Sequence, residues 1–374
     1  MRILLVNWQD RTNPQAGGAE VHLHEVFERI ASRGHEVTLY CSSYPGAVRE
    51  EVRNGMRIIR EGGRNFFNYR WMWAYLTRFR RDGYDVVVDD MNKIPFFTPL
   101  YVRTPIFGVT HHLFGTSIFR EANALAAGYV WGMESLAVRL YRARRIPFVV
   151  GSPSTRQELL ARGFRAEDVP VVFYGVDQRI HRRTGVPRSP NPMIGYFGRL
   201  KQYKSVDHLL QALPEVLTKF PDLRAVIVGE GDDRPRLEQI ARDAGLEWVV
   251  EFTGFVTEQR KVELLQQIWF KVMTSAKEGW GLTVLEANAC GTTVLASNVA
   301  GLRDAVRDGE TGLLYEYGNV PELSAKILRL LSDERLRDRL VEGADRYVRS
   351  FTWDTAAEKT LSLLEERVRT FRAG

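Results

Sequence analysis

Short apolar runs alternate along the chain with longer amphipathic stretches, and the whole alternation occurs twice. Residues 2–7, 35–41, 85–89, 105–110, 147–151 and 169–173 are apolar runs of strand length, and helical periodicity fills 19–33, 66–82, 120–145 and 153–162. Strands that are apolar on both faces belong in a parallel sheet whose crossovers are the helices between them. The pattern stops at residues 177–192, where Gly185, Pro187, Pro190 and Pro192 crowd among Arg and His, a composition that predicts an interdomain linker. It resumes with strands at 193–197, 224–228, 249–252, 270–274, 293–296 and 312–315, separated by helices at 205–219, 233–245, 258–267 and 282–290. Residues 325–372 are helical in pattern apart from a break at 351–354, where Thr352 or Asp354 is suited to cap a last helix. The expectation is an α/β chain of two Rossmann-like, doubly wound domains, 1–176 and 193–352, facing a cleft. Ligands of such folds sit beyond the carboxyl ends of the strands.

Composition narrows this picture only a little. A length of 374 residues calls for two cores, and 44% hydrophobic with 26% charged residues is an ordinary globular mixture. The first apolar run is far too short for a signal sequence or a membrane span. Cys41 and Cys290 are far apart and have no metal-type spacing, which suits a reducing, cytoplasmic setting. Charge adds an asymmetry: residues 1–174 carry 23 Lys and Arg against 17 Asp and Glu, whereas the remainder carries 29 of each. The excess favours an anionic partner for the first half, such as a membrane surface or a lipid phosphate. No nucleic-acid-binding motif accompanies it, so nucleic acid is not expected as a partner.

Four features sit where a strand gives way to a loop or helix. Gly17 and Gly18 open the first long helix, where glycine lets backbone approach a ligand and free amides favour phosphate. In the second half, the run GYFGRLKQYK (195–204) ends a strand at a glycine and presents Arg199 and Lys204, a fork and a point charge suited to a pyrophosphate. The run SAKEGWGLTVLEANACG (275–291) is the most specific. A Gly-rich turn carries Glu278 and Trp280, and Gly281 and Leu282 open a helix that carries Glu286. Amides at that helix start suit a phosphate, and each carboxylate can accept two hydrogen bonds from a vicinal diol. Lastly, His111 and His112 follow the strand at 105–110; adjacent residues on an extended chain point opposite ways, and His111 is favoured as the one facing a ligand. His22 and His24, two apart on a helix, face different sides and do not form a metal pair.

With these residues in view, the chain resembles the retaining GT-B glycosyltransferases of family 4 over essentially its full length, most strongly between Gly195 and Gly318. The resemblance rests on Gly17-Gly18, on Arg199 followed five residues later by Lys204, and on Glu278 with Glu286 seven residues between them. It implies that the glycine loop and the Arg/Lys pair hold a diphosphate, that Glu278 contacts the transferring sugar and Glu286 the ribose, and that His111 lies near the sugar or acceptor. It also implies that a last helix, about 353–374, completes the first domain. Trp280 stands where the family usually has Phe, Ser205 where Gly is common after the Lys, and Ala300 and Asp304 replace a frequent Gly and Glu.

The expected function is therefore retaining transfer of a sugar from a UDP- or GDP-linked donor to a hydroxyl acceptor, lipid-linked or small. No Asp-x-Asp occurs in the chain, so Arg199, Lys204 and helix amides, and not a metal, are expected to neutralise the leaving group; no cofactor is expected. Two aromatic and basic stretches, 64–75 with Arg78, Arg80 and Arg81 beyond it and 129–145, suit a membrane surface or a lipid-linked acceptor. An epimerase or hydrolase on the same scaffold would turn over donor without acceptor. A non-catalytic nucleotide-sugar or lipid-head binding protein is the other competing reading, and the intact Arg199, Lys204, Glu278 and Glu286 oppose it.

Overall fold

The structure is a computed structural model that describes residues 1–91, 93–120 and 123–373. It forms two compact units, one made of residues 1–174 with the last helix and the other of residues 175–352.

The first unit is built on a seven-stranded sheet: β1 (Arg2–Val6), β2 (Glu36–Cys41), β3 (Glu50–Arg53), β4 (Met56–Arg60), β5 (Val86–Asp90), β6 (Ile106–Thr110) and β7 (Phe148–Val150). They lie in the order β3-β4-β2-β1-β5-β6-β7, and every pair is parallel except β3 with β4. The helices are α1 (Gly18–Ser32), α2 (Phe67–Thr77), α3 (Ala124–Ala143) and α4 (Pro153–Ala161). Leu4 and Val6 of β1, Val87 of β5 and Val150 of β7 join Trp71 and Tyr75 of α2 and Val138 and Tyr141 of α3 in one apolar cluster. The residues between them, Ile3 and Leu5 of β1, Val86 and Val88 of β5 and Val149 of β7, are buried as well, and burial on both faces is why these strands read as unbroken apolar runs.

Three expectations are corrected in this unit. The hairpin of β3 and β4 was not anticipated, although its turn, Asn54-Gly55, has positive φ at both residues (47° and 83°), the conformation that Asn-Gly favours between strands. The expected strand at 169–173 reduces to a single bridge between Val150 and Val171, because Pro170 has no N–H for a ladder. The expected helix at 66–82 ends at Thr77, where Arg78 leaves helical geometry (φ −122°, ψ −73°). Of the helix expected at 120–145, Glu121 and Ala122 lie outside the described residues.

The second unit has six parallel strands: β8 (Met193–Phe197), β9 (Arg224–Val228), β10 (Val250–Gly254), β11 (Phe270–Met273), β12 (Thr293–Ser297) and β13 (Gly312–Tyr315). Their order is β10-β9-β8-β11-β12-β13. Helices α5 (Val206–Leu217), α6 (Arg234–Asp243), α7 (Glu258–Gln267), α8 (Leu282–Ala289), α9 (Leu302–Ala305), α10 (Val320–Ser332) and α11 (Glu334–Val348) cover it. Alternate residues serve opposite layers: Leu295 of β12 belongs to one core, and its neighbours Val294 and Ala296 to the other. Residues 177–192 contain no regular element and are held to this unit, with Ser189 N–H on the Gln267 carbonyl (2.8 Å) and Thr184 N–H on Gln266 (2.7 Å).

The last helix, α12 (Trp353–Ala373), packs on α1 of the first unit, with Arg29 on Asp354 (3.1 Å) and Arg33 on Glu358 (2.9 Å). It begins at Trp353, so Thr352 immediately precedes it and Asp354 lies in its first turn.

Candidate functional site

In the second unit the chain leaves β8 toward β9 on one side and returns to β11 on the other, so the strand order reverses between β8 and β11. This switch point opens a crevice at the carboxyl ends of the two strands, the place where doubly wound sheets bind ligands. The residues after both strands converge there. Gly198 follows β8, and the loops after β8 and β9 touch backbone to backbone: a Cβ on Gly229 would lie 2.0 Å from the Gly198 carbonyl. Arg199 then projects into solvent, and among the described residues no carboxylate pairs with it. Lys204 ends a short 3-10 turn, Gln202–Lys204, and its chain is stitched to the loop beyond β11. Thr274 Oγ1 donates to the Lys204 carbonyl (2.9 Å), and Ala276 N–H to that of Tyr203 (2.8 Å).

From the β11 side, Glu278 meets Lys204 in an ion pair and accepts a hydrogen bond from Ser275 Oγ (2.8 Å). Burial works against the Lys204 ammonium, but Glu278 outweighs it and the pKa is raised. The turn is held from behind by Gly301, whose φ is 80° and whose Cβ would stand 2.3 Å from the Glu278 carbonyl, so no larger residue fits. Gly281, left-handed at φ 87°, reverses the chain into α8, and no side chain caps that helix start. The amides of Leu282 and its neighbours are thus left for a ligand or for water.

One turn into α8, Glu286 meets Lys261 of α7 at 2.8 Å and His181 at 3.8 Å; Glu258 joins the same group, 3.3 Å from the Lys261 ammonium and from the His181 ring. Burial works against the Glu286 carboxylate, yet Lys261 and His181 hold its pKa below the ordinary carboxylate value. Glu258, hydrogen-bonded by His181 and close to Lys261, is driven down to about 2. Beneath them lies Lys271 of β11, wholly buried, with Nζ donating to the Thr283 carbonyl in the first turn of α8 (2.7 Å).

The first unit has its own switch point, between β1 and β5. His111, one residue past β6, points into it. Its Nε2 lies 3.1 Å from Asp90 at the end of β5, and its Nδ1 meets the Tyr174 hydroxyl. Burial pulls His111 toward the neutral form, but the charge and hydrogen bond of Asp90, with help from Glu20, leave its pKa raised. His22 stacks on Tyr174 (4.1 Å between ring centroids) and meets His111 edge-on (5.3 Å). Burial, and then the neighbouring His111, push its pKa well down. Its two ring nitrogens have no hydrogen-bond partner among the described residues.

The predicted residues thus fall into two groups. Arg199, Lys204, Glu278, Gly281, Leu282 and Glu286 share the switch point of the second unit, whereas Gly17, Gly18 and His111 belong to that of the first. Two expectations need adjusting. The ring of Trp280 is 2% exposed and packs on Phe351 (5.3 Å), so it offers a ligand backbone and not indole. The Gly17 N–H is already taken by the buried Glu20 side chain (2.7 Å), whose pKa burial raises, and this carboxyl group occupies the start of α1 where a phosphate was expected.

Sequence reading did not single out Lys261, Lys271, His181, Asp90 or Tyr174. Two of these left a signal, since Lys271 interrupts an apolar strand and Asp90 closes the run begun at Val86. The other three reach Glu286 or His111 from far away in sequence. Among the described residues, no three His, Cys, Asp or Glu side chains are grouped to hold a metal ion, and no helix is long and apolar enough to cross a membrane.

Residues 177–347 match the family described as Glycosyl transferases group 1, and residues 16–179 that described as Glycosyltransferase Family 4. The D-inositol 3-phosphate glycosyltransferase of Streptomyces bingchenggensis is 34% identical over 210 residues, which is 54% of this chain and 46% of that protein. The chain spans about half the length of several such curated relatives. An uncharacterized glycosyltransferase of Methanocaldococcus jannaschii is 25% identical over 97% of both chains. Among solved structures, sucrose-phosphate synthase from Thermosynechococcus elongatus has a TM-score of 0.84 at 20% identity, with both chains covered completely. Anabaena HepE in complex with UDP-glucose has a TM-score of 0.77 at 20% identity, covering 98% of this chain and 100% of HepE. The two family matches together run from residue 16 to residue 347, and the chain belongs to the group 1 and family 4 glycosyltransferases, with two Rossmann-like units of the GT-B kind.

Proposed function

We propose that this chain transfers a sugar from a nucleotide diphosphate to a hydroxyl acceptor, with retention of anomeric configuration and without a metal ion. The observation that carries the reading is the convergence of Arg199, Lys204, Glu278 and Glu286 with the uncapped start of α8 at one switch point. A diphosphate there meets two cations and free amides, which stabilise the negative charge that grows on the leaving group. Glu286, held ionised by Lys261, accepts from the ribose hydroxyls; Glu278, oriented by Lys204 and Ser275, accepts from the sugar. Arg199 is the cation left to fork onto phosphate oxygens. The departing phosphate oxygen takes the proton of the acceptor hydroxyl on the same face of the sugar, and His111 serves the sugar or the acceptor. UDP and GDP donors both remain in the proposal. The complex of HepE with UDP-glucose favours testing the uridine donor first.

The test is a thermal-shift and turnover screen with UDP- and GDP-sugars. A raised melting point with one class, followed by acceptor-dependent release of the nucleoside diphosphate, is the expected result. Release that needs no acceptor would mark a hydrolase or epimerase. Activity abolished by chelator and restored by manganese would overturn the metal-free mechanism, and an inverted product anomer would overturn retention.

The acceptor is proposed to be presented at an anionic membrane surface. Helix α2 carries a second apolar stripe on its outer side, with Tyr69 66% and Trp73 55% exposed, and the chain from Arg64 to Arg81 contains no acidic residue. The outer side of α3 exposes Leu125, Tyr129 and Leu136, and its one carboxylate, Glu134, is turned inward to accept from the amides of Phe114 and Gly115. Arg70 and Arg78 pair with Glu61, which leaves Arg80 and Arg81 beside α2 without a carboxylate among the described residues, and large apolar groups next to such cations suit lipid headgroups over acyl chains. Flotation with vesicles containing phosphatidylglycerol at low salt tests this, and failure to float would sink it.

A further inference from the structure

Lys271 is the one charged residue of the apolar strand β11, and the family function just proposed gives it no task. Side chains alternate along a strand, so Lys271 shares the face of Met273, which packs in the core beneath α8 with Val284 and Ala287. Its side chain is completely shielded from solvent, and among the described residues no carboxylate forms an ion pair with it; its hydrogen bond is to the Thr283 carbonyl. Four other charges face it from the surrounding elements: Glu286 of α8, Lys261 of α7, Glu278 of the turn after β11, and Lys204 of the loop after β8. Those four are already paired with each other, Lys204 with Glu278 and Lys261 with Glu286. An unpaired ammonium under the uncapped start of a helix is costly unless something above it is negative at the working moment.

We propose that Lys271 is a positioning residue of the donor site, which anchors the first turn of α8 from below through Thr283 and couples the arrival of a diphosphate above that turn to the uptake of a proton. The inference rests on the nucleotide-sugar reading of the same site. Burial draws the Lys271 pKa down to about 7, so near neutrality the empty site holds a mixture of amine and ammonium. An anion at the start of α8 favours the ammonium and raises that value. The complex then binds more protons than the free protein, and the sign follows: affinity tightens as the pH falls toward 7 and slackens as it rises above. The proton comes from solvent, and no covalent bond changes. Neutral amine still holds the Thr283 carbonyl, so the tether survives deprotonation while the charge does not.

The experiment is calorimetric titration of the full chain with UDP-glucose and GDP-glucose at pH 7.5, in two buffers of different ionisation enthalpy. A sugar nucleotide has no phosphate proton titrating near neutrality, so proton uptake reports on the protein alone. The expected result is a fraction of a proton taken up per ligand bound by the wild type and none by Lys271→Met, with affinity weakened about fivefold in the variant. Should Lys271→Met fail to fold, Lys271→Arg retains a donor that cannot titrate and should also show no uptake. Equal uptake in wild type and variant, or none in a wild type that binds, would overturn the inference while leaving the donor site intact. Failure of the wild type to bind any sugar nucleotide would remove the donor-site reading itself.

Discussion

The two units use the same topological position for opposite electrostatics. At the switch point of the second unit, α8 starts without a side-chain cap, Arg199 stands free in solvent, and each half-buried carboxylate, Glu278 and Glu286, is matched to a lysine. At that of the first unit, the start of α1 is closed by its own Glu20, and the groups that converge are Asp90, His111, His22 and Tyr174. Under the proposed function the second unit's site receives negative charge. The first unit's site is lined by hydrogen-bonding groups around a carboxylate, and on the same proposal it suits a hydroxyl-bearing molecule better than a phosphate. Sharing a fold therefore does not assign a shared role, because the fold supplies the crevice and the side chains supply its potential.

The sharpest way to break the comparison is Lys204→Met. It removes a cation of the anion site and strands the Glu278 carboxylate, and transfer should fall by about a hundredfold or more, read as kcat/KM for donor. If turnover survives, the second unit is not the charge-stabilising half. Next in size is Gly301→Val, where the added side chain collides with the Glu278 backbone in a left-handed conformation. A loss of about 2 kcal/mol in chemical denaturation, together with weaker donor binding, is expected. His111→Ala should lower turnover about tenfold while leaving sugar-nucleotide affinity nearly unchanged, which calorimetry can separate from the Lys204 effect.

A smaller effect follows from pH. The folded His111 pKa is raised, so its pairing with Asp90 stabilises the protein fully below the unfolded value near 6.5 and is lost as the pH climbs through the higher folded value. Melting temperatures of wild type and His111→Gln should therefore differ more at pH 6 than at pH 9. Smallest of all is His22→Phe. With no hydrogen bond to lose and a desolvated ring to replace, it should alter stability by less than about 1 kcal/mol, in the stabilising direction if at all. A large loss there would mean that His22 has a partner in the working protein.

Much of the second unit was legible because its signals are local. Strands β8, β9 and β13 fall at the expected residues 193–197, 224–228 and 312–315, and the run 275–291 carries its turn, its helix start and its two carboxylates within one stretch of chain. The first unit was harder. Its polar, half-exposed hairpin left no apolar run at β3, Pro170 spoiled an apparent strand, and a charged pair such as Arg60 with Asp10 joins residues 50 apart. The partners of Glu286 were invisible for the same reason, since Lys261 and His181 come from separate segments.

What the sequence determined by itself is the alternation that makes two doubly wound sheets and the residue types that a diphosphate needs, because periodicity and short motifs act through neighbours along the chain. What tertiary structure alone decided is which charges are paired and which remain available. It closed the Gly17 amide with Glu20, buried the Trp280 ring, matched Lys204 to Glu278, and left Arg199 in solvent and Lys271 beneath α8. Electrostatic energy depends on distance and desolvation, and both are set only when segments remote in sequence meet.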